Sequence, residues 1–182
     1  MERVVVERLF EQPITFEQYD RIRRDGQWCF DQYRVEYHAT YLSADGRQTA
    51  CIFDAPDAEA LRNVSRTLGV AEGLAWRAVF RIPDTVFSSH NGTECSASAG
   101  FETIVVQRQF DAPISIADIE AIPEPADLSL EAHRVRCLCS YVARHGLRML
   151  CVYEAPDVEA VRIAETDRNM PFERVWRATL HP

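Results

Sequence analysis

The sequence predicts an α+β fold made of two tandem copies of one module, and two observations support this prediction. The chain matches itself without a gap at an offset of 100 residues, so that Ala55–Arg62 recurs as Ala155–Arg162 and Trp76–Ala78 recurs as Trp176–Ala178. Within each copy, hydrophobic residues follow strand or helix periodicity in the order strand, helix, strand, strand, helix, strand. This βαββαβ order is typical of a ferredoxin-like module, an antiparallel sheet with both helices on one face.

The first half of each copy predicts a strand followed by a helix. β-branched runs at Arg3–Phe10 and Thr103–Phe110 stop before a proline and are typical of strands. A helix is predicted over Thr15–Arg24, because its first four residues match a capping box. The matching helix of the second copy is expected to stop after about two turns, at Pro123 and Pro125.

The second half of each copy predicts a hairpin, a helix and a last strand. Turns at Asp45-Gly46 and His145-Gly146 suit a hairpin. Asp57 and Asp157 suit the N-cap of a second helix, and Gly69 suits the position just after its end. The predicted strands are Val35–Leu42, Thr49–Asp54 and Leu74–Phe80 in the first copy, and Val135–Val142, Met149–Glu154 and Arg174–Leu180 in the second.

These elements predict the domain organisation. Module 1 is expected over residues 1–82 and module 2 over residues 102–182, joined by a polar linker at 83–101. A module of about 80 residues buries a marginal core. We therefore expect the modules to pack sheet to sheet as a pseudo-dimeric α/β barrel.

Composition and charge limit the kinds of partner and location that the sequence predicts for this protein. The net charge of −8 argues against a nucleic-acid partner, and no apolar stretch approaches the length of a membrane span. The N-terminus lacks a signal-peptide pattern, so we expect a cytoplasmic protein, and a homo-oligomer is an open alternative. In such a protein the six cysteines are expected to be thiols rather than disulfides.

A carboxylate interrupts the first strand. Glu7 follows three valines, and burying it is costly unless it has a partner, whereas the second copy has Gln107. The simpler interpretation is a Glu7 that faces solvent or pairs with a strand arginine such as Arg77. The alternative is a ligand or a general base inside a cavity between the sheets.

The cysteines leave two interpretations open. Cys51 and Cys151 recur at one position and are simplest to explain as core residues. The spacing of Cys137 and Cys139 predicts that both face the same side of a strand. With Cys151 they would form a three-thiolate patch suited to a soft metal.

The order of segments resembles a family of small bacterial ferredoxin-like domains of unknown function that are described as nickel-binding. The resemblance covers nearly all of both copies. It depends on Val6-Glu7-Arg8, on Ser140-Tyr141-Val142, and on Cys151-Val152-Tyr153-Glu154-Ala155-Pro156 with its first-copy counterpart Cys51–Pro56. It implies a module that pairs sheet to sheet and binds a divalent metal.

The chain departs from this pattern at the histidines. Such proteins commonly have histidine where this chain has Ala39, Cys139, Val64 and Ala164. Nickel prefers imidazole or carboxylate donors. The remaining candidate metal ligands are Glu7, Cys51, Cys139 and Cys151, and the candidate ligand-binding residues are Tyr41, Tyr141, Arg77 and Arg177.

Three functional hypotheses follow. The first is a non-catalytic protein that holds a divalent metal, nickel by resemblance, or a small molecule between two ferredoxin-like sheets. The second is a cofactor-independent enzyme of the dimeric α/β barrel type that acts on a small apolar substrate, with Tyr41, Tyr141 and Glu7 as acid–base groups. The third is an interaction module without a pocket.

Overall fold

The computed structural model describes residues 1–83, 95, 97–120 and 124–182, so Pro123 and most of the predicted linker 83–101 lie outside the described residues. The strands are β1 (Glu2–Leu9), β2 (Glu36–Ser43), β3 (Gln48–Ala55), β4 (Leu74–Arg81), β5 (Glu102–Gln109), β6 (Arg136–Ala143), β7 (Arg148–Ala155) and β8 (Arg174–His181). The helices are α1 (Phe16–Asp25), α2 (Gln27–Tyr33), α3 (Ala58–Thr67), α4 (Ile116–Glu120), α5 (Glu124–Ala132) and α6 (Val158–Asp167).

The chain divides into two compact units. Unit 1 comprises Met1–Ala78 together with Thr179–Pro182, and unit 2 comprises Val79–Ala178. The strand order is β4-β1-β3-β2 in unit 1 and β8-β5-β7-β6 in unit 2, antiparallel throughout. Both are ferredoxin-like sheets. The division differs from the predicted module boundaries in two places: residues 79–82 and the predicted linker 83–101 fall in unit 2, and the last four residues belong to unit 1.

Local sequence rules account for the helix ends. The side chain of Thr15 accepts a hydrogen bond from the backbone of Gln18, whose side chain accepts one from the backbone of Thr15, so the predicted capping box is confirmed. Asp57 and Asp157 are the N-caps of α3 and α6. Their side chains accept hydrogen bonds from the backbone N–H groups of Ala60 and Ala160. After α3, Gly69 adopts a φ of +63° that glycine tolerates well.

The hairpin turns are tied to the chain before α1 and α4. Gly46 has a φ of +69° and Gly146 a φ of +73°. A Cβ atom at either position would lie 2.7 Å from the carbonyl oxygen of Ile14 or Ile114. Glycine is therefore required at both turns for conformation and for space.

Each unit has its own apolar core between its helices and one face of its sheet. In unit 1 this face includes Val4, Val6, Cys51 and Phe53, and α3 contributes Leu61 and Val64. In unit 2 it includes Ile104, Val106, Cys151 and Tyr153, and α6 contributes Val161 and Ala164. Cys51 and Phe53 therefore share the helix-facing side of β3, as Cys151 and Tyr153 do in β7.

One helix was not predicted, and the stop predicted for another lies partly outside the described residues. α2 has seven residues, too few for helical periodicity to stand out, although it buries Cys29 and Phe30 in the core of unit 1. α4 ends at Glu120 after five residues. Residues 121–123 lie outside the described part of the chain, and α5 follows with Pro125 in its first turn, where proline is tolerated.

A buried ion pair joins the first strand of unit 2 to its last helix. The Nη2 atom of Arg108 lies 2.8 Å from Oε2 of Glu165, and both side chains are at most 1% exposed. Glu165 Oε1 also accepts a hydrogen bond of 3.3 Å from Arg168. Two charges removed from water need such pairing, because an isolated buried charge is costly.

Glu165→Gln is expected to lower the free energy of unfolding by about 3 kcal/mol or more, because it leaves a buried guanidinium without its carboxylate. Urea denaturation measures the difference. The matched control is Glu59→Gln, which removes an exposed ion pair with Arg62 and is expected to cost less than about 1 kcal/mol. Equal losses in the two variants would contradict the structural role of the buried pair.

Candidate functional site

The two recurring cysteines face the helices of their units. The Sγ atom of Cys51 accepts hydrogen bonds from Tyr19 Oη at 3.2 Å and from Arg8 Nη1 at 3.6 Å. Cys151 is equally buried, and that burial raises the pKa of its thiol. Both sulfurs lie in apolar cores, as the simpler interpretation of the sequence expects.

A β-bulge separates Cys137 from Cys139. Cys137 is opposite Tyr153, whereas Cys139 is opposite Val152, so the register shifts by one residue between them. Paired residues share a face, and Tyr153 and Val152 face opposite sides. The prediction that Cys137 and Cys139 share a face is therefore wrong.

Cys139 forms a disulfide with Cys95. The expectation that all six cysteines are thiols is therefore wrong for this pair. A disulfide sulfur is not a thiolate, so Cys139 is also wrong as a predicted metal ligand, and the three-thiolate patch does not form.

Glu7 and Tyr41 lie on the face of the unit 1 sheet that points away from the helices, because both are opposite Ala50. Cys51, the neighbour of Ala50, points to the other face. The predicted metal ligands Glu7 and Cys51 are therefore not brought together.

The polar side chains that interrupt the first strand of each copy, Glu7 and Gln107, accept hydrogen bonds from tryptophan side chains of the same unit. Glu7 Oε1 accepts a hydrogen bond of 2.9 Å from Trp76 Nε1, and Gln107 Oε1 accepts one of 3.2 Å from Trp176 Nε1. The two copies thus use a carboxylate and an amide for one structural contact.

The predicted ligand-binding residues fall into two groups. Tyr41 and Tyr141 are buried, and the ring of Tyr141 lies 5.1 Å from that of Phe80. Arg77 and Arg177 are about half exposed. Arg77 pairs with Glu2, and Arg177 pairs with Glu102 at 2.8 Å.

A group that the sequence analysis missed lies where β2 begins and β3 ends. Glu36 is opposite Asp54 in the register, and His38 is at the bulge of β2. One ligand atom from each of the three side chains lies within 4.8 Å of the others, and none is buried. Among the described parts of the chain, this is the one group of three or more His, Cys, Asp or Glu side chains with that geometry.

Hydrogen bonds orient the central carboxylate of this group. Asp54 Oδ2 lies 2.8 Å from His38 Nε2, and Arg3 Nε donates to Asp54 Oδ1 at 2.8 Å. Partial burial tends to raise the pKa of Asp54, but the bonds from His38 and Arg3 outweigh it and hold this pKa below its usual range. Asp54 is therefore ionised near neutral pH.

The same place in unit 2 has different chemistry. Glu154 replaces Asp54, Arg136 replaces Glu36 and Leu138 replaces His38. Glu154 pairs with Arg136 at 2.7 Å and accepts hydrogen bonds from the backbone and hydroxyl of Ser98. An imidazole with two carboxylates suits a divalent transition metal, whereas the set in unit 2 has one carboxylate and a cation.

The arrangement of both units defines the class of protein. The predicted fold class, an α+β chain of two tandem ferredoxin-like modules of the dimeric α/β barrel type, is confirmed. The chain belongs to the family described as "Nickel responsive protein SCO4226-like", whose model matches residues 4–73 and 105–177. The family resemblance found in the sequence is thereby confirmed.

Solved structures with the same fold include chlorite dismutase from Candidatus Nitrospira defluvii. A mutant of that enzyme in complex with cyanide has 10% sequence identity and a TM-score of 0.54, covering 99% of this chain and 91% of that chain. A double mutant has 10% identity and a TM-score of 0.53, covering 99% and 92%. These likenesses establish the fold alone.

No curated protein is a match to this chain. Within the described residues, no helix combines the length and the apolar character needed to cross a membrane.

We expect four thiols in the chain unfolded without reductant, and six after reduction, because Cys95 and Cys139 are bonded while four other cysteines are free. Titration with a thiol reagent in denaturant counts both states. The double variant Cys95→Ser/Cys139→Ser is the control and should give the same count with and without reductant. Six thiols in the unreduced wild type would contradict the disulfide.

Glu154→Gln is expected to reduce stability at pH 7 and to have less effect near pH 3. Burial tends to raise the pKa of Glu154, but the bonds from Ser98 and Arg136 outweigh it and lower this pKa in the folded state. A carboxyl with a lowered folded pKa stabilises above its unfolded pKa, and this contribution disappears as pH falls through the folded pKa. Urea denaturation across this pH range measures it, and a loss independent of pH would contradict the assignment.

Proposed function

We propose that this chain binds one divalent transition-metal ion, with nickel as the metal suggested by the family description, through Glu36, His38 and Asp54. The single observation behind the proposal is that one potential ligand atom from each of these three side chains lies within 4.8 Å of the other two. This deepens the first functional hypothesis, a non-catalytic metal-binding protein, and moves the site to residues that were not predicted.

The spacing of the donors suits a metal of this size. Bonds of about 2.1 Å separate neighbouring ligand atoms by about 3 Å in a six-coordinate ion. His38 Nε2 and Asp54 Oδ2 already lie 2.8 Å apart. Binding would require little rearrangement of this pair. By contrast, Cys139 is in a disulfide with Cys95 and faces the side of its sheet opposite to Cys137.

Arg3 has a positioning role in this proposal. Its Nε atom donates to Oδ1 of Asp54 at 2.8 Å, and its Nη2 atom donates at 3.3 Å to Oδ2, the oxygen beside the imidazole. An outer hydrogen bond of this kind fixes the direction of a ligating carboxylate. The guanidinium charge also lowers the affinity for a cation, so we expect moderate rather than very tight binding.

The surrounding residues suit binding and exchange. The side chains of His38 and Asp54 are 32% and 23% exposed, so water can fill the remaining coordination positions. A site with three protein ligands and open positions can release its metal to another ligand.

His38→Ala is expected to weaken nickel binding by at least about 10-fold, because it removes the nitrogen donor from a three-ligand set. Isothermal titration of NiCl₂ into the metal-free full-length protein measures the affinity. The matched control is His133→Ala, since His133 faces the single carboxylate of Asp167 at 3.1 Å.

The wild type and His133→Ala are expected to bind one nickel ion with equal affinity. Unchanged affinity in His38→Ala, or no saturable binding by the wild type, would overturn the proposal. A parallel titration with MgCl₂ is expected to show no saturable binding, since magnesium favours oxygen donors and near-ideal octahedral geometry.

A further inference from the structure

Unit 1 contains a buried guanidinium without a carboxylate partner among the described residues. Arg8 is 6% exposed, and its acceptors are Ser65 Oγ at 2.9 Å, the carbonyl oxygen of Ala71 at 3.1 Å and Cys51 Sγ at 3.6 Å. These atoms satisfy hydrogen bonds but supply no formal negative charge. A guanidinium does not lose its proton in proteins, so the positive charge remains.

Unit 2 shows what the same module does with this charge. Arg108 occupies the position of Arg8, and Glu165 occupies the position of Ser65. The carboxylate of Glu165 lies 2.8 Å from the guanidinium of Arg108, with both groups buried. The second copy therefore neutralises its arginine with its own side chain, and the first copy does not.

The missing carboxylate leaves space in unit 1. A small pocket, partly open to solvent, is lined by Arg8, Ser65 and Tyr19. The remaining walls are mostly apolar, formed by Ile22, Phe30, Phe53, Leu61, Val64, Leu68 and Val70, together with Arg23.

Arg23, the other charged residue that lines the pocket, has a carboxylate partner. Arg23 donates to Asp20 at 2.6 Å, and Asp20 also pairs with Arg24. Tyr19 donates its hydroxyl hydrogen to Cys51, and burial, the largest cause, raises the pKa of Tyr19, so it is neutral. Of the two arginines that line the pocket, Arg8 is the one without a carboxylate partner among the described residues, and most of the other lining residues are apolar.

We propose that unit 1 binds a small aliphatic monocarboxylate in this pocket, with its carboxylate beside Arg8 and Ser65, where Glu165 stands in unit 2. One unpaired guanidinium matches one negative charge, and the Ser65 hydroxyl can donate a further hydrogen bond. The apolar walls suit a short hydrocarbon chain. This site is independent of the proposed metal site.

The test compares sodium propionate with propionamide, which has the same shape without the charge. Equilibrium dialysis of radiolabelled propionate against the full-length protein is expected to saturate at one per chain. Propionate is expected to raise the melting temperature progressively with concentration, whereas propionamide, or sodium chloride at the same ionic strength, leaves it nearly unchanged.

Two substitutions at one position separate binding from folding. Ser65→Glu introduces beside Arg8 a carboxylate like that of Glu165 in the second copy. It is expected to raise the melting temperature of the ligand-free protein and to reduce propionate binding at least 10-fold. The matched control Ser65→Ala removes the hydroxyl without adding a carboxylate, and it is expected to weaken propionate binding clearly less than Ser65→Glu does.

Undiminished binding in a folded Ser65→Glu protein would overturn the proposal. An equal response to propionamide or to chloride in the wild type would overturn it as well. This second comparison uses no variant, so it decides the question even where Ser65→Glu fails to fold.

Discussion

Side chains along a strand alternate between the two faces of a sheet, and a bulge in β2 and another in β6 interrupt that alternation at the same place. Tyr37 and Cys137 therefore pack toward the helices, while Ala39 and Cys139 point to the opposite face. Each sheet keeps an apolar face for its helices only because the alternation is reset there. The extra residue of β2 is His38, which reaches Asp54 at the end of the neighbouring strand.

Sequence rules that act over a few residues predicted most of the fold. Thr15, Asp57 and Gly46 each perform the local task that their residue types suggest, and the repeat predicted the second copy from the first. The missed features depend on distant partners. A bulge has no reliable sequence signal, and nothing in the spacing of Cys95 and Cys139 indicates that they meet. The antiparallel register placed Glu36 opposite Asp54, which was the available signal for the missed cluster.

Buried charge is managed differently in the two units. Arg108 lies against Glu165, whereas Arg8 has a hydroxyl, a carbonyl and a sulfur. Hydrogen bonds alone allow Arg8 to be buried, but they leave its field uncompensated in a region of low dielectric. A mobile anion is attracted to such a field. The proposed pocket follows from the absence of one side chain, without any new element in the fold.

Joining the copies in one polypeptide frees them from the symmetry that identical subunits impose. In a homodimer of one module, a substitution at the position of Ser65 would appear twice, and so would one at the position of His38. Here Glu165 and Leu138 occupy the matching places. Each half can therefore diverge alone, with one half keeping a self-sufficient core while the other acquires a ligand of its own.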